Sequence, residues 1–367
     1  MVQDVSFEVH NNNGDPVRVG AWRFSGNASG PIVHLQAGVH ADEIAGMLVL
    51  HLLIQRLQVA QEQGRLNGQV TVVPQANPLG IGQFRQGRIL GRFHDATGHN
   101  FNRGFDQSAA MAQPSTNVQH WQKSLVQLAA SAQVVLDLHT DDEALPYLYV
   151  HRRFASQGRE LAAAMKMNLA IIWDDGGDGS FEETVIAPWL RDGISDRHMA
   201  ATLELRGQGD VNDHFAEQDA QGLYTWLCRC GVIDEPSTLA DWPVEVRDME
   251  QMETLLAPQP GVLIFEKELG DFVEEGQRFA RILGRPGDPS SEVVLCAEQA
   301  GRMVTRYRDR LVSQGMVVAK FTGSRISRNW KGGLLDPNCG RALRGFKTSR
   351  PRPGTPHDQI ARCRPVA

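Results

Sequence analysis

The chain has little that points to a membrane, an oxidising compartment or a polyanion. None of its 367 residues lies in an apolar run approaching about 18, the least a membrane-crossing helix needs. The opening stretch, MVQDVSFEVHNNNGDP, has neither the basic start nor the apolar middle of a signal peptide. The expected location is therefore the cytoplasm. Cysteine is scarce and odd in number: Cys228, Cys230, Cys296, Cys339 and Cys363, all late in the chain. That usage suits reduced thiols better than a disulfide framework. Positive charge is scarce too, except at one end. The net charge is −6, yet residues 326–367 hold nine Lys/Arg against two Asp, a net of +7, leaving −13 on the rest. An acidic body argues against nucleic-acid binding by the main domains. The basic end, rich in Gly, Pro and Arg and without periodicity, is expected to be disordered.

What is present is an alternation of strands and helices. Residues 1–30 alternate weakly around NNNGDP and read as a hairpin. PIVHLQAG, QVTVVPQAN, QVVLDLHT, YLYVH and HMAATLELRG read as strands. The amphipathic stretches that follow ADE, VQHW, GREL and NDHF read as helices. This order predicts an α/β domain over residues 1–245 with a mixed, largely parallel sheet flanked by helices. From Gly261 the pattern changes to short strands and Gly turns, with a repeat of about 40 residues. GVLIFEKELGDFVEEGQ and GRMVTRYRDRLVSQG align Gly261 with Gly301, Val273 with Val312 and Gly276 with Gly315. Two such copies interleaved predict a small all-β domain over residues 255–325. It resembles the biotinyl/lipoyl barrel-sandwich, but CAEQAGRM between the copies lacks a carrier lysine. A structural role, or a rim to the active site, is expected instead of a swinging arm.

In an open α/β sheet, ligands sit outside the carboxyl ends of the strands. Several polar groups fall there. His40 and Glu43 follow the first buried strand, His139 ends VVLDLHT, Glu204 lies in ATLELRG, and Asn102 and Arg103 lie in GHNFNRGF. His and Glu at i and i+3 on an opening helical turn project to one side. With a third ligand from a neighbouring strand they would form a His₂Glu set that leaves a position open for water, as catalytic zinc requires. Asp137, two residues before His139, shares its strand face and could either support it from behind or be buried for structural reasons alone. DDGGDGSFEET, residues 174–184, reads as a Gly-rich acidic loop, either a lid or part of the substrate pocket, or else plain solvated surface. Asp141, Asp142 and Glu143 could select a cationic substrate group or form a solvated turn.

GVHADE, NFNR, DLHT and TLELRG, in that order, resemble the succinylglutamate desuccinylase/aspartoacylase family of the zinc-carboxypeptidase clan. NPLGIGQF and GRF before NFNRGF are most similar to its N-acetyl-diaminobutyrate deacetylase-like branch. The resemblance implies one zinc ion per chain on His40, Glu43 and His139. It implies Glu204 as general base and then general acid, and Asn102 and Arg103 as the grip on a substrate carboxylate. It also implies an arginine that polarises the scissile carbonyl; of Arg85, Arg88 and Arg92, Arg92 in GRF fits best. The implied activity is hydrolysis of the amide bond of a small N-acyl amino acid or related amine by a metal-activated water. A metallocarboxypeptidase acting on peptide C-termini and a non-catalytic zinc-binding protein are the alternatives. The expected partner is a small molecule, with no nucleic acid for the main domains and no membrane, and homo-oligomer formation is left open.

Overall fold

Short runs of Val, Ile, Leu and Ala, broken by Gly and polar turns, make the strands of a nine-stranded sheet. The computed structural model describes residues 2–328, apart from 175–176 and 240. The basic segment expected to be disordered lies, from residue 329 onward, outside the described residues. By its internal contacts the chain forms two units: Met1–Asp141 with Pro146–Val246, and Asp142–Leu145 with the chain from Arg247 on.

The first unit opens with β1 (Gln3–Asp4), the β2–β3 hairpin (Phe7–His10, Pro16–Val19), β4 (Trp22–Ser25) and β5 (Asn27–Ala37). It continues with β6 (Asn67–Val73), the small β7–β8 hairpin (Phe84–Arg85, Arg88–Ile89) and β9 (Val134–Asp141). After β10 (Glu143–Ala144) come β11 (Tyr147–His151), β12 (Leu169–Trp173), β13 (Met199–Gly207) and β14 (Glu245–Asp248). The sheet order is β1-β4-β6-β5-β9-β13-β11-β12-β14. Strands β6, β5, β9 and β13 are mutually parallel, β11 runs antiparallel to β13, and β12 is parallel to β11. The sheet is thus mixed, as expected.

Helices cover both faces. Gly46 at the start of α1 (Ala45–Glu62) lies against Ala37 and Leu138. This helix packs with α7 (Asp213–Arg229), which packs with α5 (Ala155–Ala164). On the opposite face lie α3 (Phe105–Ala110), α4 (Asn117–Ala129) and α6 (Phe181–Asp192), in mutual contact; α2 (Pro78–Ile81) is a single turn. Side chains alternate between faces along a strand. His34 and Gln36 of β5, Asp137 and His139 of β9, Thr202 and Glu204 of β13, and Tyr147 and Tyr149 of β11 therefore share the α6 face. Register puts Gln36 beside Asp137, Asp137 beside Thr202, His139 beside Glu204 and Glu204 beside Tyr147. A row of polar groups thus crosses four buried strands, and every residue of this row outside β13 is less than a tenth exposed.

Part of the expected acidic loop is helix. Helix α6 begins at Phe181, where Ser180 accepts from the Glu183 backbone N–H and Glu183 returns a bond to the Ser180 backbone. Among the described residues, Cys228 and Cys230 are free thiols.

The second unit holds β15 (Glu253–Leu256), β16 (Gly261–Phe265), β17 (Phe272–Val273), β18 (Arg278–Leu283), β19 (Glu292–Cys296), β20 (Gly301–Arg306), β21 (Leu311–Val312) and β22 (Val317–Phe321). The repeats interleave. First-copy β16 pairs with second-copy β21, and second-copy β20 pairs with first-copy β17. Gly276 and Gly315 follow the matching strands at φ of +77° and +80°, which favours glycine. Phe279, Phe321, Leu263 and Met303 sit in the shared core. Strand β10 pairs antiparallel with β20 in this unit. Its Glu143 is clamped by Arg306 and Arg310, both guanidinium groups lying near the Phe265 ring. Glu143 is thus held by two arginines and is neither a plain solvated turn residue nor an unpaired carboxylate.

Candidate metal centre and active site

The turn after β5 is tightly built. Gly38 turns the chain at φ +74°. Asn77 Nδ2 donates to the Val39 carbonyl at 2.8 Å, and the Ala41 N–H donates to the Gly91 carbonyl at 2.9 Å. A Cβ on Gly91 would lie 2.2 Å from the Asp42 nitrogen and 2.6 Å from the Ala41 carbonyl carbon. Only glycine lets the segment carrying Arg92 lie this close. Gly91→Ala is therefore expected to cost about 1–3 kcal/mol by overpacking and to lower activity by displacing Arg92. Thermal unfolding and kcat of the variant check this; wild-type values for both would refute it. His40 and Glu43 sit in this turn, closed by the Glu43 N–H to the His40 carbonyl at 3.1 Å, and not on α1.

Both residues point at His139. Glu43 Oε1 is 3.0 Å from His40 Nδ1, and its Oε2 is 2.8 Å from His139 Nδ1. Oε2 also accepts the Thr140 N–H at 3.1 Å. The other ring nitrogens are held from behind: His40 Nε2 by Asn100 Oδ1 at 2.8 Å, His139 Nε2 by Asp137 Oδ2 at 3.0 Å. Asn100 Oδ1 and Asp137 Oδ2 are acceptors, so each Nε2 donates outward and each Nδ1, here against the Glu43 carboxylate, is the nitrogen that would face a metal. One ligand atom from each of the three buried residues lies within 4.8 Å of the others. Two imidazoles and a carboxylate, desolvated and oriented by outer partners, fit a borderline-soft divalent ion. Burial raises the Glu43 carboxyl, but the His40 and His139 charges outweigh it and hold it well below its ordinary range. Burial likewise lowers His139, and Asp137 and Glu43 overcome that and raise it well above. A cation replacing these protons finds the negative partners already in place.

Arg92 joins the cluster: its Nη1 donates to Glu43 Oε1 at 2.9 Å and is 3.3 Å from His40 Nδ1. Arg85 pairs with Asp95 at the surface, and Arg88 is exposed on β8. Glu204 stands beside His139 in the parallel β9–β13 register. The Asn102 N–H donates to Asn100 Oδ1, the same oxygen that holds His40, so the NFNR loop is tied to the centre. Asn102 Oδ1 accepts the Phe181 N–H at 3.0 Å, fastening the start of α6. Arg103 Nη1 donates to the Asn102 carbonyl, and its Nε lies 3.9 Å from Asp178.

Several participants are not singled out by the sequence. Asn100 and Thr140 sit inside quoted motifs. The alternation Thr202/Glu204 and Tyr147/Tyr149 marks the polar face of β13 and β11. Tyr147 OH donates to Asp141 Oδ2 at 2.8 Å, so Asp141 too is already engaged. Glu182 carries no local signal. It accepts from Thr202 Oγ1 at 2.5 Å, and burial, with Glu183 and Asp137 nearby, pushes its carboxyl up to about 8. Between pH 4.5 and about 8 the folded chain keeps a proton on Glu182 that the unfolded chain has lost. This stability is fully present below 4.5 and lost as pH rises through 8. The displacement is worth at most roughly 5 kcal/mol. Glu182→Gln should therefore flatten the decline in melting temperature of chelated protein from pH 5 to pH 8. An unchanged pH slope would count against it.

The model of the succinylglutamate desuccinylase/aspartoacylase catalytic domain matches residues 29–228. A curated relative, N-alpha-acetyl-L-2,4-diaminobutyric acid deacetylase of Halomonas elongata, is 26% identical over 301 residues, covering 79% of this chain and 81% of its own. A crystal structure of the succinylglutamate desuccinylase/aspartoacylase type from Shewanella frigidimarina superposes with a TM-score of 0.78 at 22% identity, covering 88% of this chain and 97% of that one. The product-bound ectoine utilization protein EutE (DoeB) of Ruegeria pomeroyi gives 0.68 at 20% identity, covering 88% and 95%. The structural neighbours establish the fold, the family model spans more than half of the chain, and this chain belongs to the succinylglutamate desuccinylase/aspartoacylase family.

Proposed function

We propose that this chain is a zinc-dependent amidohydrolase that removes an acyl group from a small N-acyl amino acid or related N-acyl amine in the cytoplasm. The observation that carries the reading is the buried convergence of His40, Glu43 and His139, with Glu204 beside His139 on the next strand. The name of the Halomonas relative supports an N-acetylated diamino acid as the first substrate to try.

His40 Nδ1, Glu43 and His139 Nδ1 would hold the ion. Zinc bound there supplies Lewis acidity and brings the pKa of water toward 7. Glu204 takes the proton of the attacking water and returns it to the leaving amine, which requires a carboxylate within hydrogen-bond reach of both. Arg92 brings a guanidinium to the edge of the ligand cluster, where negative charge on the former carbonyl oxygen is stabilised. Arg103 offers a planar fork to the substrate carboxylate, a geometry lysine lacks. Asn102 adds two amide hydrogens beside it while its oxygen holds the α6 backbone.

The test is amine release from a panel of N-acyl amino acids, N-acetyl diamino acids and short peptides, on zinc-loaded and chelated protein. Chelator-sensitive release from a small N-acyl compound is the expected outcome. Turnover of peptides alone would replace the reading with a carboxypeptidase.

A further inference from the structure

The β9–β13 ladder is interrupted immediately after Glu204. Pairing runs Glu204 with His139 and then Gly207 with Asp141. Three steps on β13 thus match two on β9. The ladder closes again beyond the interruption, since the Gln208 N–H donates to the Asp141 carbonyl at 2.9 Å. The extra residue forms a bulge, a device uncommon between parallel strands and concentrated beside active sites, where it re-aims a side chain.

Arg206 lies within the bulge, at φ +68°. A long side chain in the left-handed region costs energy and persists only where its surroundings enforce it. Here the enforcement is visible. Arg206 Nη1 and Nη2 donate to Asp219 Oδ2 and Oδ1 at 2.7 and 3.0 Å, a two-pronged pair. The two side chains are only 8% and 3% exposed. The guanidinium also lies 4.4 Å from the centre of the Phe215 ring. Both partners belong to α7, whose fellow helix α1 covers the sheet face opposite the polar row.

We propose that Arg206 is a positioning residue for Glu204. Its buried pair with Asp219 holds the bulge in the left-handed conformation and thereby sets where the Glu204 carboxylate stands relative to His139. The proposal rests on the general-base reading of Glu204. A displacement of about 1 Å in a catalytic group costs on the order of 10²-fold in rate.

The experiment compares Arg206→Gly, Arg206→Lys, Asp219→Asn and Glu204→Gln in zinc-loaded protein with the acyl substrate the panel identifies. Arg206→Gly is decisive, because glycine adopts the left-handed backbone without strain and removes the anchor; it is read beside the same change combined with Asp219→Asn, which spares the buried charge its lost partner. Expected for Arg206→Gly and Asp219→Asn is a fall in kcat of roughly 10- to 100-fold, with KM and zinc content near wild type. The acid limb of the kcat/KM profile should shift, and Arg206→Lys should recover part of the loss. A crystal structure of Arg206→Gly should show the Glu204 carboxylate displaced. Wild-type kcat and pH profile in folded Arg206→Gly and Asp219→Asn would overturn the proposal. If Glu204→Gln itself retained turnover, the general-base reading would fail, a result distinct from failure of the Arg206 inference.

Discussion

Glu204→Gln is expected to bind zinc like the wild type and to turn over substrate slower by roughly 10²- to 10⁴-fold, the usual worth of a positioned proton carrier. Glutamine keeps the size and the hydrogen-bonding reach of the side chain but cannot accept a proton from water. The proposed ligand atoms belong to His40, Glu43 and His139, none of which the substitution touches. Amine release and zinc content of the same preparation, measured side by side, check both halves. Turnover near the wild-type rate would remove Glu204 from the mechanism, and loss of zinc would make it a ligand.

His139→Ala should do the reverse and abolish metal retention. The imidazole supplies Nδ1 to the cluster and is the group between two carboxylates, Glu43 at 2.8 Å and Asp137 at 3.0 Å. Removing it costs a donor, so zinc affinity should fall by more than the 10- to 100-fold typical of losing an outer partner. It also leaves two buried carboxylates without their shared cation. Breaking a buried pair from one side costs roughly 3–5 kcal/mol, so the metal-free variant should also melt earlier than metal-free wild type. Competition against a chromophoric chelator measures the first effect, and thermal unfolding in chelator the second. Unchanged affinity would show that His139 is not a ligand.

The alternation of strands and helices was legible, and so were the motif residues at the strand ends, because both follow from local pattern. The antiparallel turn at β11 was legible in principle, since the short link across residues 142–146 cannot make the crossover that parallel strands need. The polar row was half visible: His34/Gln36, Asp137/His139, Thr202/Glu204 and Tyr147/Tyr149 each alternate with apolar residues inside runs that read as buried. Helix α6 had a start signal, Ser180 followed by Glu183, hidden among the glycines before it. Glu182 was not legible, because its carboxyl matters only once α6 docks on Thr202. Nor was Arg206, since the extra residue in β13 exists only relative to the register of β9.

The pairing of β10 with β20 has a consequence in time. Glu143 and its partner Arg306 are 163 residues apart, and Glu143 and Arg310 are 167 apart. At roughly 5–20 residues per second, a ribosome needs on the order of 8–30 s to make that stretch. Through that interval His139, Thr140 and Asp141 have been synthesised, while the strand that receives the next four residues has not. The chain that carries His139 therefore leaves the ribosome well before the β-sheet that anchors its continuation.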